Sequence, residues 1–282
     1  AMVRAHGAGL ACPDWPLCFG QVVPAFDLKV AFEWGHRAVA GSVSLVFLTL
    51  GALALWRPAT RRVAGPWIGV AAALLAVQIV LGALTVWQLL ASWTVTSHLL
   101  TGNAVNASFA LVAWQLRERA RPATAAARPR IAPALRGVAL AIAALLVAQL
   151  VLGGLVASKF AALACDEWPT CHAGEWIPGF EGARGIHLLH RFVGYALWVA
   201  IALGAWAARG SGRTGSLLAA AFVVATVQVV VGVANVLLRV PVEVTGLHSL
   251  LAAVLVLLVA LSVRTSFAGA ASRTDPRAAS AL

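Results

Sequence analysis

The chain has 282 residues, of which 61% are hydrophobic and 11% charged, and it carries a formal net charge of +11. A mean hydropathy of +0.88 excludes a water-soluble globular domain. The apolar runs of about 20 residues are continuous rather than alternating, which excludes a β-barrel.

In chain order, residues 1–28 read as a loop holding Cys12-Pro13-Asp14-Trp15-Pro16-Leu17-Cys18. Apolar spans are then predicted at about 31–56, 66–90, 93–116, 135–157, 186–208, 215–238 and 243–264. A basic, Pro- and Ala-rich linker, 117–134, separates an N-terminal half, 1–116, from a C-terminal half, 135–264. Residues 265–282 read as a disordered tail. The loops at one end hold Arg57, Arg61, Arg62, the Arg117–Arg136 run, Arg209, Arg213 and Arg264. By the positive-inside rule that end is cytoplasmic. The basic excess is therefore topology, not a nucleic-acid surface, and the expected location is the cell inner or plasma membrane, crossed several times. The cysteine loops then lie at the outer face.

The two halves repeat one another. Cys12-Pro-Asp-Trp-Pro-Leu-Cys18 aligns with Cys165-Asp-Glu-Trp-Pro-Thr-Cys171, and His36-Arg37 with His190-Arg191. Gln78-x-x-x-Gly82 aligns with Gln228-x-x-x-Gly232, and His98 with His248. The span before the second cysteine loop, about Leu135 to Ala157, has no full counterpart before the first. The expectation is an all-α integral membrane protein of two pseudo-symmetric four-helix bundles. The full protein would have eight helices and this chain about seven, with the first helix absent and the natural start some 20–30 residues earlier on span length.

Each half places two histidines near the outer ends of different helices: His36 and His98, then His190 and His248. A lone histidine at a helix mouth is commonly an interfacial hydrogen-bonder. Four at matching places in two repeats are not four independent accidents, because ionisable groups at membrane depth are rare. Imidazoles on facing helices suit a haem iron, which takes protein ligands along its axis. Arg37 and Arg191 follow directly and are candidates for haem propionates. His187 shares a helix face with His190 and is a candidate pocket-lining residue.

Glu33 stands where the second half has His187. One reading is an ion pair with Arg37 four residues on. The other is a proton carrier or charge stabiliser beside a reacting ligand, present in one half only. The pairs Cys12/Cys18 and Cys165/Cys171 lack Cys-x-x-Cys spacing and suit disulfides on an oxidising face. A redox role for Cys12 and Cys18 is the less favoured alternative.

Gly9-Leu-Ala-Cys-Pro-Asp-Trp-Pro-Leu-Cys-Phe-Gly-Gln21, followed by Glu33-Trp-Gly-His-Arg37, resembles the haem A synthase (cytochrome oxidase assembly) family. The likeness extends to the His-bearing helices and Gln-x-x-x-Gly spans of both halves. It implies oxidation of the C8 methyl of haem O to a formyl group by successive hydroxylations. It also implies haem O as substrate at His36, His98 and Glu33, the last catalytic. A haem b at His190 and His248 would relay electrons, and Cys12–Cys18 would be the family's loop disulfide. The partners implied are haem O, membrane lipid, haem O synthase and cytochrome oxidase assembly proteins, with no nucleic acid. Two other functions fit the four histidines: a di-haem electron-transfer cytochrome exchanging with quinone, and a non-catalytic haem carrier or assembly factor.

Overall fold

The computed structural model describes residues 2–120 and 131–267. After a single helical turn, α1 (Met2–Ala5), come seven long helices: α2 (Leu28–Trp56), α3 (Pro58–Trp87), α4 (Ser92–Arg119), α5 (Pro133–Ser158), α6 (Gly182–Ala207), α7 (Arg213–Leu237) and α8 (Val242–Phe267). No β-strand occurs among the described residues. At 25–30 residues each helix is ~37–45 Å long, enough to cross a bilayer with some tilt.

Local signals set the boundaries. The Asp27 side chain accepts the Val30 N–H at 2.8 Å and caps α2. Pro58 and Pro133 open α3 and α5, where a missing N–H costs nothing. The sequence pattern starts the third helix's span near residue 66 because proline is disfavoured inside a helix; α3 instead begins at Pro58 and carries Pro66 within it. The expected tail begins three residues too early, since α8 runs to Phe267. There Arg136 donates to the Ser266 carbonyl and lies over the Phe267 ring. The rest of that tail, and linker residues 121–130, lie outside the described residues.

Six of the long helices are apolar enough to span a membrane. The exception, α4, carries Thr94, Thr96, Asn103, Asn106 and Ser108, and its position explains how it is tolerated. It packs against α3, α5 and α8, where Thr94, Thr96 and Ser108 are buried, while Asn106 stays exposed. Thr94 and Ser108 return their hydroxyls to the carbonyls of Ala91 and Val105 at 2.7 Å.

Helices α5 to α8 close a ring, each touching the next and α8 returning to α5, around Ile142, Leu146, Leu197, Ile201, Leu218 and Leu255. On the other side α2 packs on α3 and α3 on α4, over a smaller core of Ala64, Ile68, Ala71 and Val112 beside the stacked Phe47 and Phe109 rings. Along α2 only Val30, Glu33 and Gly51 are buried.

The α4–α5 seam joins the two sets through a tight contact. A Cβ on Gly154 would stand 2.8 Å from Thr96 Cγ2, and Thr96 Oγ1 lies 3.4 Å from Ser158 Oγ. Gly154→Ala is therefore expected to destabilise the protein by about 1–3 kcal/mol, the usual range for overpacking. A lowered thermal midpoint in detergent would register the loss; an unchanged midpoint would mean that the seam gives without cost.

Candidate functional site

His36, His98, His190 and His248 all fall within the first three turns of α2, α4, α6 and α8. These helices alternate along the chain with α3, α5 and α7, so the four imidazoles gather at the end of the molecule that carries the cysteine loops. The His36 and His98 rings face each other with centroids 6.3 Å apart and planes at 83°. Two imidazoles sharing one metal at ~2.0–2.1 Å per bond would have ring centres roughly 6 Å apart.

Each of three histidines sits over a glycine on the preceding helix. A Cβ on Gly82, Gly153 or Gly232 would stand 3.2, 3.1 and 3.1 Å from Cε1 of His98, His190 and His248. Four residues before each of these glycines is a glutamine. The side-chain nitrogens of Gln78 and Gln149 lie 3.3 and 3.4 Å from Nε2 of His98 and His190. The glutamines carry no assigned role in the sequence reading; their signal there was the fixed Gln-x-x-x-Gly spacing.

Six buried atoms in these sites have no partner: Oε1 of Gln78, Gln149 and Gln228, and Nδ1 of His98, His190 and His248. An unsatisfied buried polar atom costs about 1–3 kcal/mol, so repetition at three equivalent places points to a missing ligand. The candidate donors come in pairs. Among the described residues no group of three His, Cys, Asp or Glu could hold a bare metal ion. Paired imidazoles lined with glycine suit an iron whose other ligands come from a flat macrocycle. The residues present therefore fit haem.

Both cysteine pairs are disulfides, Cys12–Cys18 and Cys165–Cys171. The loops they close are held onto the helices by the same device. Arg37 donates to the carbonyls of Cys12, Asp14 and Leu17; Arg191 donates to those of Cys165, Glu167 and Thr170. The two arginines thus spend their terminal nitrogens on loop carbonyls. Glu33 is buried, with Oε1 on Arg37 at 2.7 Å and Oε2 accepting the Cys12 N–H at 2.9 Å. His187 occupies the equivalent socket. Its Nδ1 lies 3.0 Å from the Ala161 carbonyl and 3.3 Å from the Cys165 N–H, while its Nε2 accepts from Arg191 Nε at 3.3 Å. His187 is thus bonded to the loop and to Arg191.

Within each loop an acid two residues past the first cysteine ties the turn. Asp14 accepts the N–H groups of Gly20 and Phe19 at 2.8 and 2.7 Å, and Glu167 accepts that of Gly174 at 3.0 Å and the Thr170 hydroxyl at 2.8 Å. The Gly20 N–H, then that of Phe19, hold the Asp14 carboxyl below its ordinary value. A depressed folded-state value stabilises the loop above the unfolded value of 3.8 and is lost as pH falls through the folded one. Hydrogen exchange over residues 12–21, corrected for intrinsic rate, should stay slow down to about pH 4 and rise below it. Asp14→Asn should remove that acid transition; a transition retained in the variant would place its origin elsewhere.

A family model described as cytochrome oxidase assembly protein, COX15-CtaA, matches residues 1–260. Similar curated proteins include the heme A synthase of Shewanella oneidensis, 28% identical over 91% of this chain and 88% of that protein. The heme A synthase of Bradyrhizobium sp. strain BTAi1 is 30% identical over 81% of this chain and 67% of its own length. That of Shouchella clausii is 31% identical over 68% and 64% respectively, so the chain spans under two thirds of that relative.

Proposed function

The chain belongs to the cytochrome oxidase assembly protein family, and from that premise we propose that it is a haem A synthase, an oxidoreductase converting the C8 methyl of haem O to a formyl group by successive hydroxylations. The observation that carries this reading is the facing pair His36 and His98, 6.3 Å apart, with the buried Glu33 one turn before His36. In this reading haem O is the substrate, held by His36 and His98. His190 and His248 hold haem b, which supplies one-electron transfer when bound. The protein works in the plasma membrane with its disulfide loops outward, a placement supported by the basic residues at the opposite end.

This chain's own groups have distinct tasks. The loops act as lids that keep water from the imidazoles, pinned by Arg37 and Arg191. These arginines lie beside the propionates, Arg191 as a positive charge and Arg37 as one offset by Glu33, since their terminal donors are already engaged. Glu33, with one oxygen on Arg37 and the other on an amide N–H, is a fixed negative charge at the substrate side. A fixed charge of that sign stabilises positive charge developing at the methyl carbon without reorganisation.

Pigment extraction after co-expression with a haem O source tests the reading. Haem A is the expected product. Two haem b per chain and no haem A would instead indicate a di-haem cytochrome, and one loosely held haem a carrier.

Glu33→His separates catalysis from lid-holding, because the second half already uses histidine in that socket. The expected variant keeps its loop protected and its haem bound but loses haem A formation by 10²-fold or more, the low end for removal of one electrostatic stabiliser. Haem A made at the normal rate would show that Glu33 only holds the lid.

A further inference from the structure

Between the Cys165–Cys171 loop and α6 lies a cavity of about 290 Å³, walled by Trp168, Trp176, Ile177, Arg191, Phe192 and Tyr195, with Leu188 behind. Leu188, Phe192 and Tyr195 fall at i, i+4 and i+7 and so share one face of α6. His187, His190 and Gly194 share another, roughly 120° away round a helix of 3.6 residues per turn. The cavity is thus separate from the side on which His190 would hold iron. It is at the same height, about one helix diameter or ~10 Å across. At the positions matching Leu188, Phe192 and Tyr195 the first half has Trp34, Ala38 and Gly41. The aromatic wall and its hydroxyl therefore belong to the second half.

The lining is apolar apart from two groups. The Tyr195 hydroxyl accepts the Trp168 indole N–H at 2.9 Å, and among the described residues nothing accepts its own proton. Arg191 brings a positive charge, but it already donates to His187 and to the carbonyls of Thr170, Cys165 and Glu167. The cavity thus combines flat aromatic walls, one unused hydroxyl donor and a cation with few donors left. A phospholipid phosphate, with several oxygens to satisfy, would need more N–H groups than this wall offers. A macrocycle would need more room, since ordinary ligand pockets begin at about 300 Å³. A single small ring with an acceptor oxygen fits, stacked on the aromatic side chains.

We propose that this cavity binds the headgroup of a membrane quinone, and that the quinol–quinone pair exchanges electrons there with the haem held by His190 and His248. In the reducing direction a quinol loses its two O–H protons and gives two electrons, one at a time, to ferric iron. The iron is reduced to ferrous twice in succession, and the quinol is left as quinone. Tyr195 donates to a ring oxygen, and the Arg191 charge stabilises the anion formed when the first proton leaves. Phe192 and Trp176 are exposed, which leaves the cavity open to a ligand carried in the bilayer. The electron step rests on the assignment of His190 and His248 as haem ligands; the binding site does not.

The test uses the full chain in detergent, both haem-free and loaded with haem b. Decyl-ubiquinone is titrated into the haem-free protein and read by quenching of tryptophan fluorescence, because Trp168 and Trp176 line the cavity. Saturable quenching is expected. Tyr195→Phe should weaken it roughly 3–10-fold, the loss of one hydrogen bond. Phe192→Ala, at a partly exposed position that folding tolerates, should weaken it further by removing a wall. Quenching that never saturates and is equal in both variants would be partition into detergent and would overturn the proposal. Displacement of the quinone by phospholipid at equal concentration would make this a lipid site and overturn it too. Decyl-ubiquinol is then mixed with the haem b-loaded chain. Haem reduction below saturation should slow in Tyr195→Phe by the same factor as binding, with the haem spectrum unchanged. Quinone binding without haem reduction would overturn the electron exchange. Normal haem b binding in His190→Ala and His248→Ala would instead defeat the ligand assignment, a failure that the haem-free titration does not share.

Discussion

An imidazole 3.1–3.2 Å from the place a Cβ would occupy is a closer contact than most side chains make, and three of the four site histidines meet a glycine at that distance. In a membrane, helices gain little from burying apolar surface against each other, because lipid is as apolar as leucine. Close backbone approach at small residues and hydrogen bonds between helices supply the specificity instead. Gly82, Gly153 and Gly232 therefore do two things at one contact. They let α3, α5 and α7 come close to their neighbours, and they leave room at the interface for one polar ring. The position of the imidazoles is consequently a property of helix packing, not of a loop.

Above this layer the disulfide loops repeat one solution with one altered residue. In both halves an arginine one helical turn past the socket reaches three loop carbonyls, and the socket residue sits against the N–H of the loop's first cysteine. Backbone groups of the loops that would otherwise depend on water are held by protein, as buried polar groups require. The two residues do so with different bonds: Glu33 accepts from both the Cys12 N–H and Arg37, whereas His187 accepts from Arg191 at Nε2 and so carries its proton on Nδ1, which donates to the Ala161 carbonyl. Either residue ties its arginine to the loop, so that tie alone does not require a carboxylate in the first half, and the charge is what sets Glu33 apart.

Much of this was legible in the sequence, and the parts that were not have physical reasons. The spans stand out because a bilayer demands some 20 apolar residues in a row. The paired cysteines and the His-Arg steps stand out because the chain repeats them. Helix α3 starts eight residues before the predicted span because a first-turn proline and an interior one look alike by residue type; only the hydrogen-bond pattern tells them apart. The contacts of Gln78 and Gln149 with His98 and His190 were hidden, since a glutamine amid apolar residues does not say which helix it faces. That Arg37 and Arg191 hold loops was equally hidden, because carbonyl acceptors belong to the backbone and leave no mark in the residue types.

The altered residue also changes the electrostatics of the two half-sites. In the first, Arg37 is neutralised by Glu33 at 2.7 Å. In the second, Arg191 faces a His187 whose Nε2 accepts a hydrogen bond and so carries no proton, and among the described residues Arg191 has no carboxylate within ion-pair distance. A positive charge in a low-dielectric setting attracts an anion far more strongly than a neutralised pair does. On the proposed reading, the half that retains its haem through many turnovers offers an uncompensated cation to the propionates. The half that must release its product offers a neutral pair. Tight binding at the second site serves a resident cofactor, whereas at the first it would slow product release, which often limits turnover. One substitution, carboxylate for imidazole, would then both place the charge that the chemistry uses and loosen the hold on the molecule that has to leave.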